Sequence, residues 1–288
     1  MFERTSLFAE SWNVAWRKKP SGSILSDKTT MFNIIKNSNN FWAADPFLFS
    51  YNGDTYIFAE LYDYKLCRGC IGFCKWNGNT FGKWEKVITE NYHLSYPFIF
   101  EENNEIFIIP ESGADKSLYL YRAVDFPYKW EKCKTIKTGV IYGDTTLFRY
   151  EGRCYALAYD VSSDRYALEL ISFNKGFESK PITDNENVNL KRPAGKIFFI
   201  NDEMMRPAQK CINNYGEGLV FYKICFDNGK YVENKVKTVL PNEFDFSKKI
   251  ILDGMHTYNS NNEFEIIDLK TRRFNLLNFI SRIINKIR

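Results

Sequence analysis

The chain has 288 residues, 44% of them hydrophobic and 26% charged, enough apolar material for two domains or one large all-β domain. Its 39 basic residues are nearly matched by 35 acidic ones, and a net charge of +4 is too small to mark a nucleic-acid surface, so no nucleic-acid partner is expected. The aromatic set, 25 Phe and 18 Tyr with Trp, favours strands over helices.

The N-terminal stretch MFERTSLFAESWNVAWRKKP carries acids early and has no apolar h-region. No secretion signal is expected, and no apolar run is long enough to span a membrane, so the expected location is cytoplasmic. Residues 1–40 read as an N-terminal segment whose strand, with Trp12 and Trp16, would close a ring of sheets. Seven scattered cysteines suit free thiols in a reducing compartment. Cys67, Cys70 and Cys74 lack a fourth zinc ligand, because His93 and His256, the two histidines, lie far off in sequence. They read as cysteines on a strand and the turn before it.

From residue 41 to 270 one plan recurs five times. The segments are ADPFLFSYNGDTYIFAE, SYPFIFEENNEIFIIPE, GDTTLFRYEGRCYALAYD, PAGKIFFINDEMMRPAQ and GMHTYNSNNEFEIIDLK. Phe49, Phe100, Phe148 and Phe198 occupy equivalent places, with steps of 51, 48 and 50 residues. Between the apolar runs sit Asn52-Gly53, Asn103-Asn104, Glu151-Gly152, Asn201-Asp202 and Asn261-Asn262, the turn chemistry of β-hairpins. Further strand-like runs follow each of the first four. Units of about four short strands near a period of about 50 residues predict an all-β chain folded as a five-bladed β-propeller.

In a propeller the first strand of each blade lines the channel and the second returns antiparallel. The starts of the first strands and the ends of the second therefore meet at one rim. The starts carry Asp45, Tyr96, Asp144, Arg192 and His256; the ends carry Glu60, Glu111, Asp160, Gln209 and Asp268, with Arg206 just before Gln209. Acids gathered at one mouth need cations, shared protons or a substrate to space them. A divalent cation in the channel is one way to hold them, though the residues name no cofactor and no metal ligand set. Carboxylates, Arg, His and many aromatics suit sugar recognition, and two carboxylates across a mouth are the equipment of glycosidic chemistry. His256 reads equally as a channel ligand to sugar or ion and as a satisfied structural histidine; His93 reads as structural.

The tail, residues 271–288, changes character. Leu276, Leu277, Ile280, Ile283, Ile284 and Ile287 fall at helical spacing among Arg272, Arg273, Arg282, Lys286 and Arg288. The spacing predicts a short amphipathic helix from about Phe274. It would pack on the propeller or on a second subunit, or else lie on the inner face of an anionic membrane.

The motifs ADPFLF, SYPFIFE, IIPES, DTTLF, RPAGK, MRPAQ and the late His256-Thr257 resemble the propeller family named for the N-terminal domain of glucosamine inositolphosphorylceramide transferase, over roughly Trp12 to Lys270. The resemblance implies a fold similar to the five-bladed arabinanase and fructanase glycosidases. It makes Asp45 the counterpart of their base or nucleophile and Asp144 that of the acid tuning their proton donor. Their donor Glu has no match, its place holding Arg206 and Gln209, so Glu111 becomes the candidate acid. Glu60, Tyr96, Asp160, Arg192, Arg206, Gln209 and His256 are expected to bind substrate. Bacterial members often accompany surface-polysaccharide biosynthesis, and the plant protein's transfer chemistry is expected in a separate domain. The expected function is a glycosyltransferase acting on a glycan or sugar-nucleotide substrate. The alternatives are a glycosidase of the related fold, or a non-catalytic glycan-binding module serving a partner glycosyltransferase.

Overall fold

The computed structural model describes residues 8–162, 167–172, 178–182 and 192–274. Strands β1 (Phe8–Lys18) and β2 (Asn33–Ile34) come first, followed by four regular blades. Blade 1 is β3 (Phe41–Tyr51), β4 (Asp54–Asp63), β5 (Arg68–Lys75) and β6 (Glu85–Ile88). Blade 2 is β7 (Ser95–Glu102), β8 (Glu105–Glu111), β9 (Ser117–Asp125) and β10 (Lys129–Thr138). Blade 3 is β11 (Tyr142–Tyr150), β12 (Arg153–Asp160), β13 (Ala167–Ser172) and β14 (Glu178–Ile182). Blade 4 is β15 (Phe198–Ile200), β16 (Glu203–Lys210), β17 (Gly218–Asp227) and β18 (Lys230–Val239). The chain ends its described course with β19 (Leu252–Gly254), β20 (Tyr258–Ser260) and β21 (Phe264–Phe274).

Each regular blade pairs its strands in sequence order. The fifth is assembled from both ends of the chain: β20 and β19 pair β21, β21 pairs β1 from Phe8↔Phe274 to Lys18↔Phe264, and β1 pairs β2. The ring is thereby closed by backbone hydrogen bonds between the two ends of the chain. Buried Arg17 on β1 bonds Glu265 on β21 through Nε at 2.8 Å and Nη2 at 2.6 Å. Glu265 also accepts from the Ile24 N–H at 2.9 Å and the Tyr258 hydroxyl at 2.6 Å, so this buried charge is fully met.

The hairpins form where the turn residues require. Asn52 and Gly53, Asn103 and Asn104, Glu151 and Gly152, and Asn201 and Asp202 all take positive φ, as tight two-residue turns need. Five apolar clusters fill the five spaces between neighbouring blades, which is why the inner strands read as near-continuous apolar runs.

Among the described residues the chain is all-β, with only the one-turn 3-10 helices Gly113–Asp115 and Pro241–Glu243. None is long and apolar enough to cross a membrane. The expected helix over 271–288 is corrected at its start, because β21 continues as strand through Phe274. The rest of that segment lies outside the described residues.

Candidate active site

The site is built on a backbone irregularity repeated in three blades. In blade 1 the register passes from Ala44↔Glu60 to Phe47↔Phe58, in blade 2 from Ser95↔Glu111 to Phe98↔Ile109, and in blade 3 from Gly143↔Tyr159 to Thr146↔Leu157. Each first strand holds one extra residue there, a β-bulge, and its first bulged residue has positive φ: Asp45 at 50°, Tyr96 at 45° and Asp144 at 54°. Asp tolerates that region; for bulky Tyr it is a strained conformation that the packing must hold. The bulges turn these side chains into the centre, where all three are buried. In blade 4 the same offset from the equivalent Phe falls on buried Ala194, and Arg192 sits two residues earlier.

Asp268 on β21 organises one side of the mouth. Its Oδ1 accepts the N–H groups of His256 at 2.8 Å and Thr257 at 2.9 Å. Its Oδ2 accepts the Asp45 N–H at 3.1 Å and lies 2.6 Å from His256 Nδ1. His256 Nε2 then points to Asp45 Oδ1 at 3.7 Å, and the ring stacks on Trp12 with centroids 4.0 Å apart. Asp45 completes its partners with the Thr257 hydroxyl at 2.8 Å and the Tyr96 N–H at 3.2 Å. Burial opposes a charge on His256, but Asp268 and then Asp45 outweigh it and carry its pKa up to about 9. Burial raises Asp45 to about 6, against the pull of His256 and with a push from Asp144 and Asp268.

The other side centres on Arg192. Its guanidinium pairs with Asp144 through Nε and with Glu111 at 3.0 Å, and lies 5.7 Å from the ring centres of Tyr159 and Tyr215. Glu111 also accepts the Asp144 N–H at 3.1 Å, and Gln209 donates to Asp144 Oδ2 at 2.8 Å. Burial raises Asp144 to about 6, with Arg192 pulling it down and Glu111 pushing it up. Below them the Tyr96 hydroxyl meets Thr146 at 2.8 Å and accepts the Gly195 N–H at 2.6 Å. A side chain at Gly195 would place its Cβ 1.9 Å from the Tyr258 carbonyl oxygen, so only glycine lets these channel strands close up.

Asp45, Glu60, Tyr96, Glu111, Asp144, Arg192, Gln209 and His256 are thus brought together. Glu60 is buried and its proton affinity is raised by burial and then by the fields of Asp45, Glu111, Asp268 and Asp144. Two expected site residues are corrected. Asp160 lies opposite Tyr142, one position past the residue that matches Glu60 and Glu111, which is Tyr159. A one-residue offset turns a strand side chain to the other face, and Asp160 accepts from the Ser162 N–H and hydroxyl at 2.9 and 2.6 Å, a local turn cap. Arg206 runs into blade 4, where its guanidinium forks Glu233 on β18 at 2.7 and 2.9 Å. Sequence reasoning set Asp268 among the rim acids and Trp12 in the ring-closing strand, but gave neither of them, nor Thr257 or Tyr215, a part in binding or catalysis. The acid of Asp268 was visible at a strand end, whereas nothing in the sequence ties Trp12 to His256.

Asp45, His256 and Asp268 each place one metal-ligating atom within 4.8 Å of the others. Both oxygens of Asp268 already accept protein donors and Asp45 Oδ1 accepts the Thr257 hydroxyl, which leaves at most the second lone pair of Asp45 Oδ1 and His256 Nε2. Two protein atoms are a sparse set for a divalent cation, and a proton on His256 satisfies the same carboxylates. The donor set fits an imidazolium better than a metal.

A family profile described as glucosamine inositolphosphorylceramide transferase 1, N-terminal, matches residues 28–261. The curated proteins of that name from Oryza sativa subsp. indica and Arabidopsis thaliana are each 30% identical, over 196 and 194 residues. These alignments cover 64% and 63% of this chain but 26% and 25% of the plant proteins, so the chain spans about a quarter of their length. Among solved structures, the catalytic domain of a Coprinopsis cinerea GH62 α-L-arabinofuranosidase superimposes with a TM-score of 0.61 at 11% identity, covering 90% of this chain and 97% of that one. An α-L-arabinofuranosidase from Lactobacillus brevis gives 0.53 at 11% identity, covering 73% and 83%. At such identities the likeness is one of fold. The family match takes in most of the chain, and with it the bulges that carry Asp45, Tyr96 and Asp144: this chain belongs to the family of glucosamine inositolphosphorylceramide transferase 1 N-terminal domains.

Proposed function

We propose that the chain is a carbohydrate-active protein of glycan biosynthesis, a glycosyltransferase that uses the carboxylates of the propeller mouth. Asp45 is the base: it takes the proton of the acceptor hydroxyl as that oxygen attacks the anomeric carbon of the donor sugar. The observation that carries this reading is the setting of Asp45, a buried carboxylate on a bulge whose pKa of about 6 leaves it ionised at neutral pH yet basic enough to accept a proton. His256, 3.7 Å away, balances its charge, and Arg192 spaces Asp144 from Glu111. Aromatic faces at the rim suit a sugar ring: Trp42 and Tyr62 stack at 4.8 Å above Glu60, and Tyr215 is 45% exposed. The names of the plant relatives and the fold of the glycosidases support the glycan class.

A second reading has its own support. Arg192 and Gln209 occupy Asp144, and Arg192 also holds Glu111, an arrangement that suits hydrogen-bond recognition of a glycan without turnover. This is the module that would serve a partner glycosyltransferase. Incubation with a panel of sugar nucleotides and oligosaccharide acceptors separates them. Transfer to the acceptor supports the first reading, hydrolysis without an acceptor points to a glycosidase, and glycan binding without either points to the module.

A further inference from the structure

Two mouth carboxyls differ in one respect that decides which can give up a proton. Glu111 Oε2 accepts both the Arg192 guanidinium and the Asp144 N–H, so its oxygen is met by two donors. Glu60 has no such support. Its side chain is 6% exposed, and its Oε1 is buried without a hydrogen-bond partner among the described residues. A buried carboxyl oxygen with no donor is far costlier as an anion than as an acid.

The surroundings of Glu60 point the same way. Gly69 on β5 makes its room: a Cβ there would stand 2.5 Å from Oε1 and 2.4 Å from the Leu94 carbonyl oxygen. The Gly69 N–H donates to His93 Nδ1 at 3.0 Å, which puts the ring proton of neutral His93 on Nε2, 3.4 Å from Glu60 Oε1 but not in hydrogen-bonding geometry with it. Burial lowers the pKa of His93, so it brings no positive charge. The remaining titratable neighbours are acids on every side. They are Asp45 on β3, Glu111 on β8, Asp144 on β11 and Asp268 on β21, with Tyr62 on its own strand and Cys70 on β5. The four carboxylates disfavour an anion at Glu60, while Tyr62 and Cys70 stay uncharged at neutral pH and do not stabilise one. Ala44 faces Glu60 in the register, so the carboxyl stands on the strand beside the Asp45 bulge.

We propose that Glu60, and not Glu111, is the proton donor of the mouth, held as a carboxylic acid beside the base Asp45. The proposal rests on the glycan reading above and deepens it by naming the acid. In the transfer step the bond from the anomeric carbon to the leaving oxygen breaks, its electron pair stays on that oxygen, and the oxygen takes the Glu60 proton. The acceptor oxygen bonds to the anomeric carbon and gives its proton to Asp45. Solvent returns the proton from Asp45 to Glu60.

Two measurements test this, one of them independent of any activity. The first is the infrared C=O stretch of protonated carboxyl groups at neutral pH, in wild type, Glu60→Gln and Glu111→Gln. A band present in wild type and Glu111→Gln and lost in Glu60→Gln is the expected result. A band missing from wild type, or kept by Glu60→Gln, overturns the proposal. The second is transfer to an oligosaccharide acceptor from nitrophenyl glycosides and from alkyl glycosides of the same sugar. Glu60→Gln should lose about 10²–10⁴-fold on the poor alkyl leaving group and far less on nitrophenol, which leaves without a proton. Equal losses on both donors, or a leaving-group effect in Glu111→Gln instead, would also overturn it. Wild type inert on every donor counts against the glycosyl-transfer reading, and the infrared band then still decides whether Glu60 holds the proton.

Discussion

His256 and Asp268 meet at 2.6 Å through Nδ1 and Oδ2, with both side chains almost wholly buried. That contact fixes the charge of one half of the mouth. Asp268 accepts three backbone N–H groups besides the ring, so it holds the Asp45 bulge, the His256-Thr257 segment and the imidazole in one arrangement. Trp12, from the strand that closes the ring, covers the other face of the imidazole. Ring closure and site assembly are therefore one event.

Asp268→Asn should bring the pKa of His256 down from about 9, since burial is then opposed only by Asp45 and Asp144. An NMR titration reads this directly, with only His93 as a second signal and a His93→Gln variant to assign it. A His256 that still titrates near 9 in the variant would show that Asp268 is not the cause.

Stability should fall as pH rises from mildly acidic to alkaline. His256 titrates higher in the fold, about 9, than its ordinary 6.5, so its contribution is full below 6.5 and is lost as pH passes about 9. Asp45 and Asp144 have folded values near 6 against an ordinary 3.8, so they too favour the fold when protonated and cease to as pH rises through about 6. Thermal melts across this range should show Tm declining, and the upper part of the decline, a loss of stability of about 3 kcal/mol, should vanish in His256→Gln. A Tm that climbs from pH 6 to 9 contradicts the assignment of these charges.

Arg17→Met leaves Glu265 buried without its guanidinium on the strand that closes the ring. The cost should be about 3–5 kcal/mol by urea unfolding, with part of it recovered in Arg17→Met with Glu265→Gln. A loss under about 1 kcal/mol would mean that the closure does not depend on this pair.

Tyr96→Phe removes the acceptor of the buried Gly195 N–H and the partner of Thr146. Destabilisation of about 1–3 kcal/mol is expected, because the amide loses its one hydrogen-bond partner among the described residues. Wild-type stability in this variant would indicate that another group takes the N–H.

The propeller was readable because its signals are local. Asn-Gly and Asn-Asn turns recur at near-equal steps, and each apolar run lies within a dozen residues of its partner. Asp45 and Asp144 were readable for the same reason, each standing four residues before an equivalent Phe. Asp160 was misplaced because the third segment was read one residue too long: Glu60 and Glu111 each stand 15 residues after Asp45 and Tyr96, whereas Asp160 stands 16 after Asp144 and the matching place is Tyr159. Arg206 was drawn to the mouth by its nearness to Gln209, but its partner Glu233 lies 27 residues on, in an outer strand. The different surroundings of Glu60 and Glu111 depend on donors such as Arg192, 81 residues from Glu111, and no local pattern carries that information.

The central claim is that the mouth acts on glycans through the Asp45 carboxylate, and Asp45→Asn tests it most directly. The substitution keeps the side chain's size, removes its charge, and still offers one oxygen, enough for the Thr257 hydroxyl or the Tyr96 N–H, which Asp45 accepts on separate oxygens. Transfer from the sugar nucleotide that wild type uses should be measured alongside binding of the acceptor glycan. The account predicts a folded variant whose transfer rate falls by at least about 10²-fold while acceptor binding is largely kept. A folded Asp45→Asn protein with wild-type transfer would contradict it.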